Sequence, residues 1–200
     1  QQLKKGQKVI LRNNDTIALP KDQKISFIFN DNRDLIEIPN KMPEEIKKNY
    51  YFEKVLGKGI SGQVYLVHDI RSQMKFALKK ACQMDIKIGV MDEAKTTAAL
   101  NHPNLVQLLR VHRDIDTKYI FTEYLNQRDL LQCVNSYPEK RFPENVAKDC
   151  IYQVVQGLKY MHKNNYCHRD IKMDNIFVHC ENGIYTYKIG DFGLACKDEN

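Results

Sequence analysis

Between Glu144 and Lys163, apolar side chains at Ala147, Ile151, Val154, Leu158 and Met161 recur at steps of four, three, four and three. That spacing draws one apolar stripe along an α-helix and leaves its other faces polar. A helix of 20 residues gains most of its stability by burying such a stripe, so the chain must supply a second layer against it. The residues after the helix narrow the choice. Asn164-Asn165 can end the helix. Ile176-Phe177-Val178 and residues 185–189 then read as strands, joined by Asn182-Gly183, a strong hairpin signal because both turn residues tolerate positive φ. Helix and hairpin are separated by a polar loop, residues 168–175, anchored at both ends to rigid elements.

Upstream, strand signals broken by glycines occupy residues 51–80. A helix is expected over residues 92–100, and further strands over residues 105–109 and 119–123. Strands first and helices later is the order of an α+β protein with two unequal lobes. The start of the chain differs in texture. Val9-Ile10-Leu11, Ile17-Ala18-Leu19 and an alternation of Ile25, Phe27 and Phe29 read as strands, separated by Arg12-Asn13-Asn14-Asp15 and Pro20-Lys21-Asp22. Two or three strands do not make a stable unit alone. Residues 1–36 are therefore read as the tail of a β-domain and residues 37–49, with Pro39 and Pro43, as a linker carrying one short helical turn at 44–48. Residues 50–200 are read as a second domain.

Composition removes several classes of function. An apolar fraction of 42% is enough for a real core. The 31 basic residues exceed the 25 acidic ones by six, but they are spread along the chain. No basic stripe interleaves with aromatics, so direct nucleic-acid binding is not expected. The apolar runs are too short to cross a bilayer, and no membrane partner is expected. Six cysteines, Cys82, Cys133, Cys150, Cys167, Cys180 and Cys196, form no Cys-x-x-Cys pair and follow no secretory signal. Reduced thiols in an intracellular protein, in nucleus and/or cytoplasm, are the expectation, and a metal cluster around His162, Cys167 and His168 is disfavoured.

Four segments carry chemistry. Gly57-Lys58-Gly59-Ile60-Ser61-Gly62-Gln63-Val64 lies between two strand signals, where glycines let backbone N–H groups close on phosphate oxygens. Alone it fits a hairpin turn as well as a nucleotide loop; the strand-like Val64-Tyr65-Leu66-Val67 after it argues against a dinucleotide fingerprint. Ala77 and Lys79 in Phe76-Ala77-Leu78-Lys79 project from the same face of a strand, a small residue beside a cation. Glu93, nine residues before His102-Pro103-Asn104, is the best carboxylate to orient that cation. In the 168–175 loop, Asp170 can accept a hydroxyl proton, Lys172 can neutralise phosphoryl charge and Asn175 can offer an amide oxygen to a metal. Asp191-Phe192-Gly193 follows sixteen residues after Asn175 and can return a carboxylate to the same place.

In this order, these residues resemble the protein-kinase signature set over residues 50–200. The resemblance implies a bilobal α+β fold with a complete β-rich small lobe and a truncated helical large lobe. It also implies transfer of the γ-phosphate of ATP, with Mg2+, to Ser/Thr hydroxyls of proteins, and assigns roles residue by residue. Gly57, Gly59 and Gly62 would cover the nucleotide, with Lys79 on its phosphates and Glu93 paired to Lys79. Asp170 would be the catalytic base, supported by Lys172, with Asn175 and Asp191 as the metal ligands. Val64, Ala77, Leu130 and Phe177 would pack the adenine, Thr122 would be the gatekeeper, Glu123, Tyr124 and Leu125 the hinge, and Asp129 the ribose partner. Lys172, two residues after the base, is the Ser/Thr pattern. Arg169 implies control by a phosphate on the activation loop.

The pattern has departures. Met173 stands where proline is common, Phe76 where valine is common, and Thr97 at a position that is usually apolar. Only seven residues follow Gly193, so the activation loop and later helices are expected to be absent and this polypeptide alone to be unstable or inactive. A pseudokinase or phosphopeptide-binding scaffold is the second reading, although every chemical position is filled. Residues 5–29 resemble the last strands of a forkhead-associated (FHA) domain, whose arrangement before a Ser/Thr kinase is that of DNA-damage checkpoint kinases. That likeness implies phosphothreonine-bearing protein partners.

Overall fold

The computed structural model describes residues 9–11, 15–18, 26–29, 38, 41–59, 62–82, 93–115 and 117–198. β1 (Thr16–Ala18) and β2 (Ser26–Ile28) pair antiparallel with Ile17 opposite Phe27. Ile17 and Ile28 are 40% and 63% exposed. Val9-Ile10-Leu11, expected as a strand, is irregular; Leu19 and Ile25, the ends of the other two expected strands, lie outside the described residues.

α1 (Glu44–Asn49) has Glu44 and Glu45 in its first turn and Lys47 and Lys48 in its last, which matches the helix dipole. It does more than link. Ile46 and the preceding Met42 are almost fully buried against Tyr50, Phe52, Tyr65, Val67, Leu78, Tyr119 and Phe121. Those residues form one face of a five-stranded antiparallel sheet made of β3 (Tyr50–Gly59), β4 (Gly62–Asp69), β5 (Lys75–Cys82), β6 (Leu108–Arg113) and β7 (Thr117–Glu123), ordered β3-β4-β5-β7-β6. Because strand side chains alternate, the register Val64↔Lys79↔Ile120 and Leu66↔Ala77↔Thr122 puts these six residues on the opposite face. The expected strand at residues 105–109 is displaced to 108–113. Leu105 instead bridges Ile189 in parallel, with Val106 N–H donating to Ile189 O at 2.8 Å and Ile189 N–H to Asn104 O at 2.9 Å.

That crossing segment ties the sheet to a second core. Around it lie α2 (Glu93–Ala99), α3 (Leu130–Asn135), α4 (Glu144–Lys163), β8 (Tyr166–Cys167), β9 (Ile176–Glu181), β10 (Ile184–Ile189) and β11 (Cys196–Lys197). Its centre is Leu105, Val154, Met161, Ile176, Ile189 and Phe192. α4 has the expected bounds and part of the expected seam: Val154 and Met161 are buried and Leu158 packs against the core. Cys150 and Gly157 are buried as well, while Ile151 is 60% exposed. Gly157 explains the rotation: a Cβ there would lie 2.9 Å from Asn104 O and 3.1 Å from Ile189 Cδ1, so the helix approaches backbone to backbone. The Asn182-Gly183 hairpin forms as expected, both residues at positive φ (51° and 81°).

Candidate active site

β5 sits between β4 and β7, so Lys79 projects from the middle of the sheet towards the first turn of α2. Its Nζ donates to both carboxylate oxygens of Glu93, at 2.9 and 2.8 Å, and to Asp191 Oδ1 at 3.2 Å. The Lys79 side chain is only 13% exposed. Burial works to lower its pKa, but the Glu93 and Asp191 carboxylates outweigh it and hold the ammonium above its ordinary range. Two residues far apart in sequence thus converge on one cation from a helix start and a loop.

The 168–175 loop supplies the other half. Asn175 Nδ2 donates to Asp170 O at 2.8 Å and to Asp170 Oδ2 at 2.9 Å, and Lys172 Nζ donates to the same Oδ2 at 2.7 Å. The Lys172 hydrogen bond, followed by that from Asn175, keeps the Asp170 carboxyl below the usual carboxylate range. The Lys172 ammonium is correspondingly raised by Asp170.

A buried histidine joins the halves. His168 is 2% exposed. Its Nδ1 lies 3.3 Å from Asp170 N and its Nε2 3.0 Å from Gly190 O. A backbone N–H can only donate and a carbonyl can only accept, so the ring is neutral with its proton on Nε2. Burial depresses its pKa, in keeping with that state. Gly190 N–H returns to Asn175 O at 2.9 Å, and the His168 and Phe192 rings meet at 5.4 Å. Hydrogen bonds therefore run from Asn175 through Asp170 and His168 to Gly190, and the Gly190-Asp191 peptide bond joins this set to the contacts of Lys79 with Asp191 and Glu93. Asp191 and Arg169 hold left-handed backbone, φ 55° and 66°, a strain that folded proteins keep where a site requires it.

The remaining expected residues line the same side of the sheet or the crossing between layers. Gly57 pairs with Val64, and Gly59 with Gly62. Of Gly57 and Gly62, only Gly62 is irreplaceable on steric grounds: at φ 125° its Cβ would lie 2.0 Å from Lys80 O, whereas Gly57 faces open space. Ile60 and Ser61 lie outside the described residues. Thr122 Oγ1 donates to Ala77 O at 3.5 Å. Tyr124 and Leu125 follow β7 half-buried, Leu130 is buried in the second core, and Phe177 bridges Asp129. Two expectations gain detail. The Glu123 carboxylate is taken by Lys188 Nζ at 2.8 and 2.9 Å and by Gln107 N–H at 2.9 Å. The Asp129 carboxylate caps α3 through Gln132 N–H at 2.8 Å and also meets Gln132 Nε2.

Sequence reasoning assigned no role to Lys188 or to the neutral His168. Lys188 carries no local signal, and only the β10 register brings it beneath the 123–125 segment. The adjacency of His168 to Arg169-Asp170 was the signal for His168. Among the described residues, no cluster of three or more His, Cys, Asp or Glu side chains could hold a metal ion. Asn175 and Asp191 nevertheless form a hard-oxygen set of the kind Mg2+ takes together with phosphate oxygens. Asn175 already spends its amide N–H on Asp170, which turns its carbonyl oxygen away from that bond.

Comparison with known proteins gives a concordant result. The family model for the protein kinase domain matches residues 50–200. The ovarian-specific serine/threonine-protein kinase Lok of Drosophila melanogaster is 32% identical, over 93% of this chain and 40% of its own length. An Aurora kinase of Yarrowia lipolytica is 36% identical over 71% of the chain and 38% of its own length. The serine/threonine-protein kinase polo of Drosophila melanogaster is 31% identical over 82% and 28%. The chain thus spans two fifths or less of the length of these relatives.

Proposed function

The chain belongs to the protein kinase family, and from that premise we propose that the protein transfers the γ-phosphoryl group of ATP to serine and threonine hydroxyls of proteins. The observation that carries this is two sets of hydrogen bonds, Lys79 with Glu93 and Asp191 and Asn175 with Asp170 and His168, joined through Gly190 and its peptide bond to Asp191. Asp170 receives the substrate hydroxyl's hydrogen bond and orients its oxygen. Because Lys172 and Asn175 keep its carboxyl ionised, it acts more by positioning than by strong basicity. Lys79 holds the phosphates through its ammonium, and Glu93 fixes the direction of that ammonium. Lys172 offsets charge gathering on the transferred group. The backbone N–H groups of the 57–62 turn close over the nucleotide, with Val64, Ala77, Leu130 and Phe177 about the adenine, Thr122 behind it and the 123–125 backbone along its edge. Mg2+, when bound with ATP, would be held by Asn175 and Asp191 and would neutralise phosphate charge.

The finer reading is a checkpoint or signalling kinase whose residues 1–36 are the end of an FHA-like domain that engages phosphothreonine proteins. Its support is the reach of the Lok likeness, 93% of the chain, which residues 50–200 alone cannot account for. The test of the activity is phosphate transfer from ATP to a generic Ser/Thr peptide by the full-length protein. Transfer that falls at least about a hundredfold in Asp191→Ala supports the proposal; undiminished transfer in that variant breaks the assignment. No transfer by the wild type, with peptide binding retained, gives the scaffold reading instead.

A further inference from the structure

Cys167 and Cys196 stand directly opposite one another across the antiparallel ladder of β8 and β11. Both are half-buried free thiols. Opposed residues send their side chains from the same face of a ladder, and their Cα atoms lie about 4.5–5.5 Å apart. That distance is inside the window of about 4.4–6.8 Å that a disulfide spans. Asp198 N–H donates to Asn165 O at 2.6 Å, so the alternation of an antiparallel ladder makes Cys167 and Cys196 a hydrogen-bonded pair. The contrast with Cys150 is sharp: it is 2% exposed in the second core, and burial raises its thiol to about 11.

The position of the pair matters as much as its geometry. Cys167 immediately precedes His168, the ring that joins Asp170 to Gly190. Cys196 follows Leu194 by two residues, and Leu194 O already accepts from Arg169 Nε at 2.7 Å. We propose that Cys167 and Cys196 form a reversible disulfide that ties the segment leaving Asp191-Phe192-Gly193 to the strand entering the 168–175 loop, making the site responsive to hydrogen peroxide.

The chemistry balances with peroxide as the two-electron oxidant. One thiolate attacks a peroxide oxygen, the O–O bond breaks, and a sulfenic acid forms with release of water after proton transfer. The facing thiol then attacks the sulfenic sulfur, the S–S bond forms and a second water leaves. Two thiols lose two electrons and two protons, and peroxide becomes two waters. Closing the bond must draw Cβ atoms about 5.5 Å apart to about 3.8 Å. The displacement falls one residue from His168 and two from Arg169. A shift of about 1 Å at a catalytic loop can cost turnover a hundredfold, so the oxidised form is the slower one. Short-lived disulfides of this kind are compatible with a reducing compartment.

The test uses the reduced full-length protein, treated with hydrogen peroxide, alkylated with N-ethylmaleimide and digested without reductant. Expected is a peptide containing Cys167 joined to one containing Cys196, two hydrogens lighter than the pair and separated by dithiothreitol. Phosphate transfer falls at least about tenfold on oxidation and returns on reduction. Cys167→Ser and Cys196→Ser, with Cys167→Ala and Cys196→Ala as second variants, keep the reduced activity and lose the peroxide response. The transfer readout rests on the kinase reading, but the joined peptide does not, so the two can fail separately. Separate alkylation of Cys167 and Cys196 after peroxide that oxidises other cysteines would overturn the proposal. So would inactivation by peroxide that persists in both serine variants.

Discussion

Asp170 holds its carboxylate between the Lys172 ammonium and the Asn175 amide, both on the same oxygen. Replacing it with asparagine keeps the shape but loses the charge. Asp170→Asn is expected to lower kcat at least about a hundredfold with little change in the KM for ATP; a kinetic comparison checks this. Since its pKa lies below the ordinary value of 3.8, Asp170 is ionised across the neutral range and cannot produce an acid limb in activity near neutrality. His168 behaves oppositely. Its folded pKa is below the unfolded 6.5, so the unfolded chain takes up protons first and stability falls as pH drops through about 6.5. Thermal melts from pH 8 to 5 should show that decline, and His168→Gln should flatten it. An unchanged slope would remove His168 as the cause. Asp170, Asn175 and Asp191 were legible because their spacing is local. Lys188 was not, because its partner Glu123 is 65 residues away and only sheet register brings them together.

At the scale of elements, α2 carries the carboxylate that orients Lys79. Glu93 is its first residue, and Thr97 Oγ1 donates back to Glu93 O at 2.6 Å. Thr96 is fully buried, and its Oγ1 has no hydrogen-bond partner among the described residues. A buried hydroxyl without a partner costs about 1–3 kcal/mol, so Thr96→Val should stabilise the protein by about 1 kcal/mol in denaturant unfolding. A loss of stability would mean that the hydroxyl is satisfied. Gly62→Ala should destabilise, since its Cβ would meet Lys80 O at 2.0 Å. The α4 bounds were right, whereas α3, β8 and β11 left no signal in the sequence reading. The α4 seam was right at Val154, Leu158 and Met161 but not at Ile151, because periodicity weighs apolar side chains and passes over Gly157, whose lack of one sets the packing. The β6 displacement has a similar origin: apolar Leu105 and Val106 serve the junction with Ile189, not the sheet.

At the scale of the molecule, two cores meet along the 104–106 crossing, and the residues of the site come from both. α1 belongs to the first core although composition marked its surroundings as a linker. Ile46→Ala should cost about 2–5 kcal/mol and lower the melting transition without changing the ion pair of Lys79. The central claim is that an ammonium, an amide and two acidic side chains surround one triphosphate. The direct test is a crystal structure of the protein with Mg2+ and a non-hydrolysable ATP analogue. Lys79 Nζ should then lie about 3 Å from a phosphate oxygen, with Asn175 and Asp191 about 2.1 Å from the same or adjacent Mg2+ ions. A nucleotide bound elsewhere, with Lys79 still closed on Glu93 and Asp191, would contradict that claim.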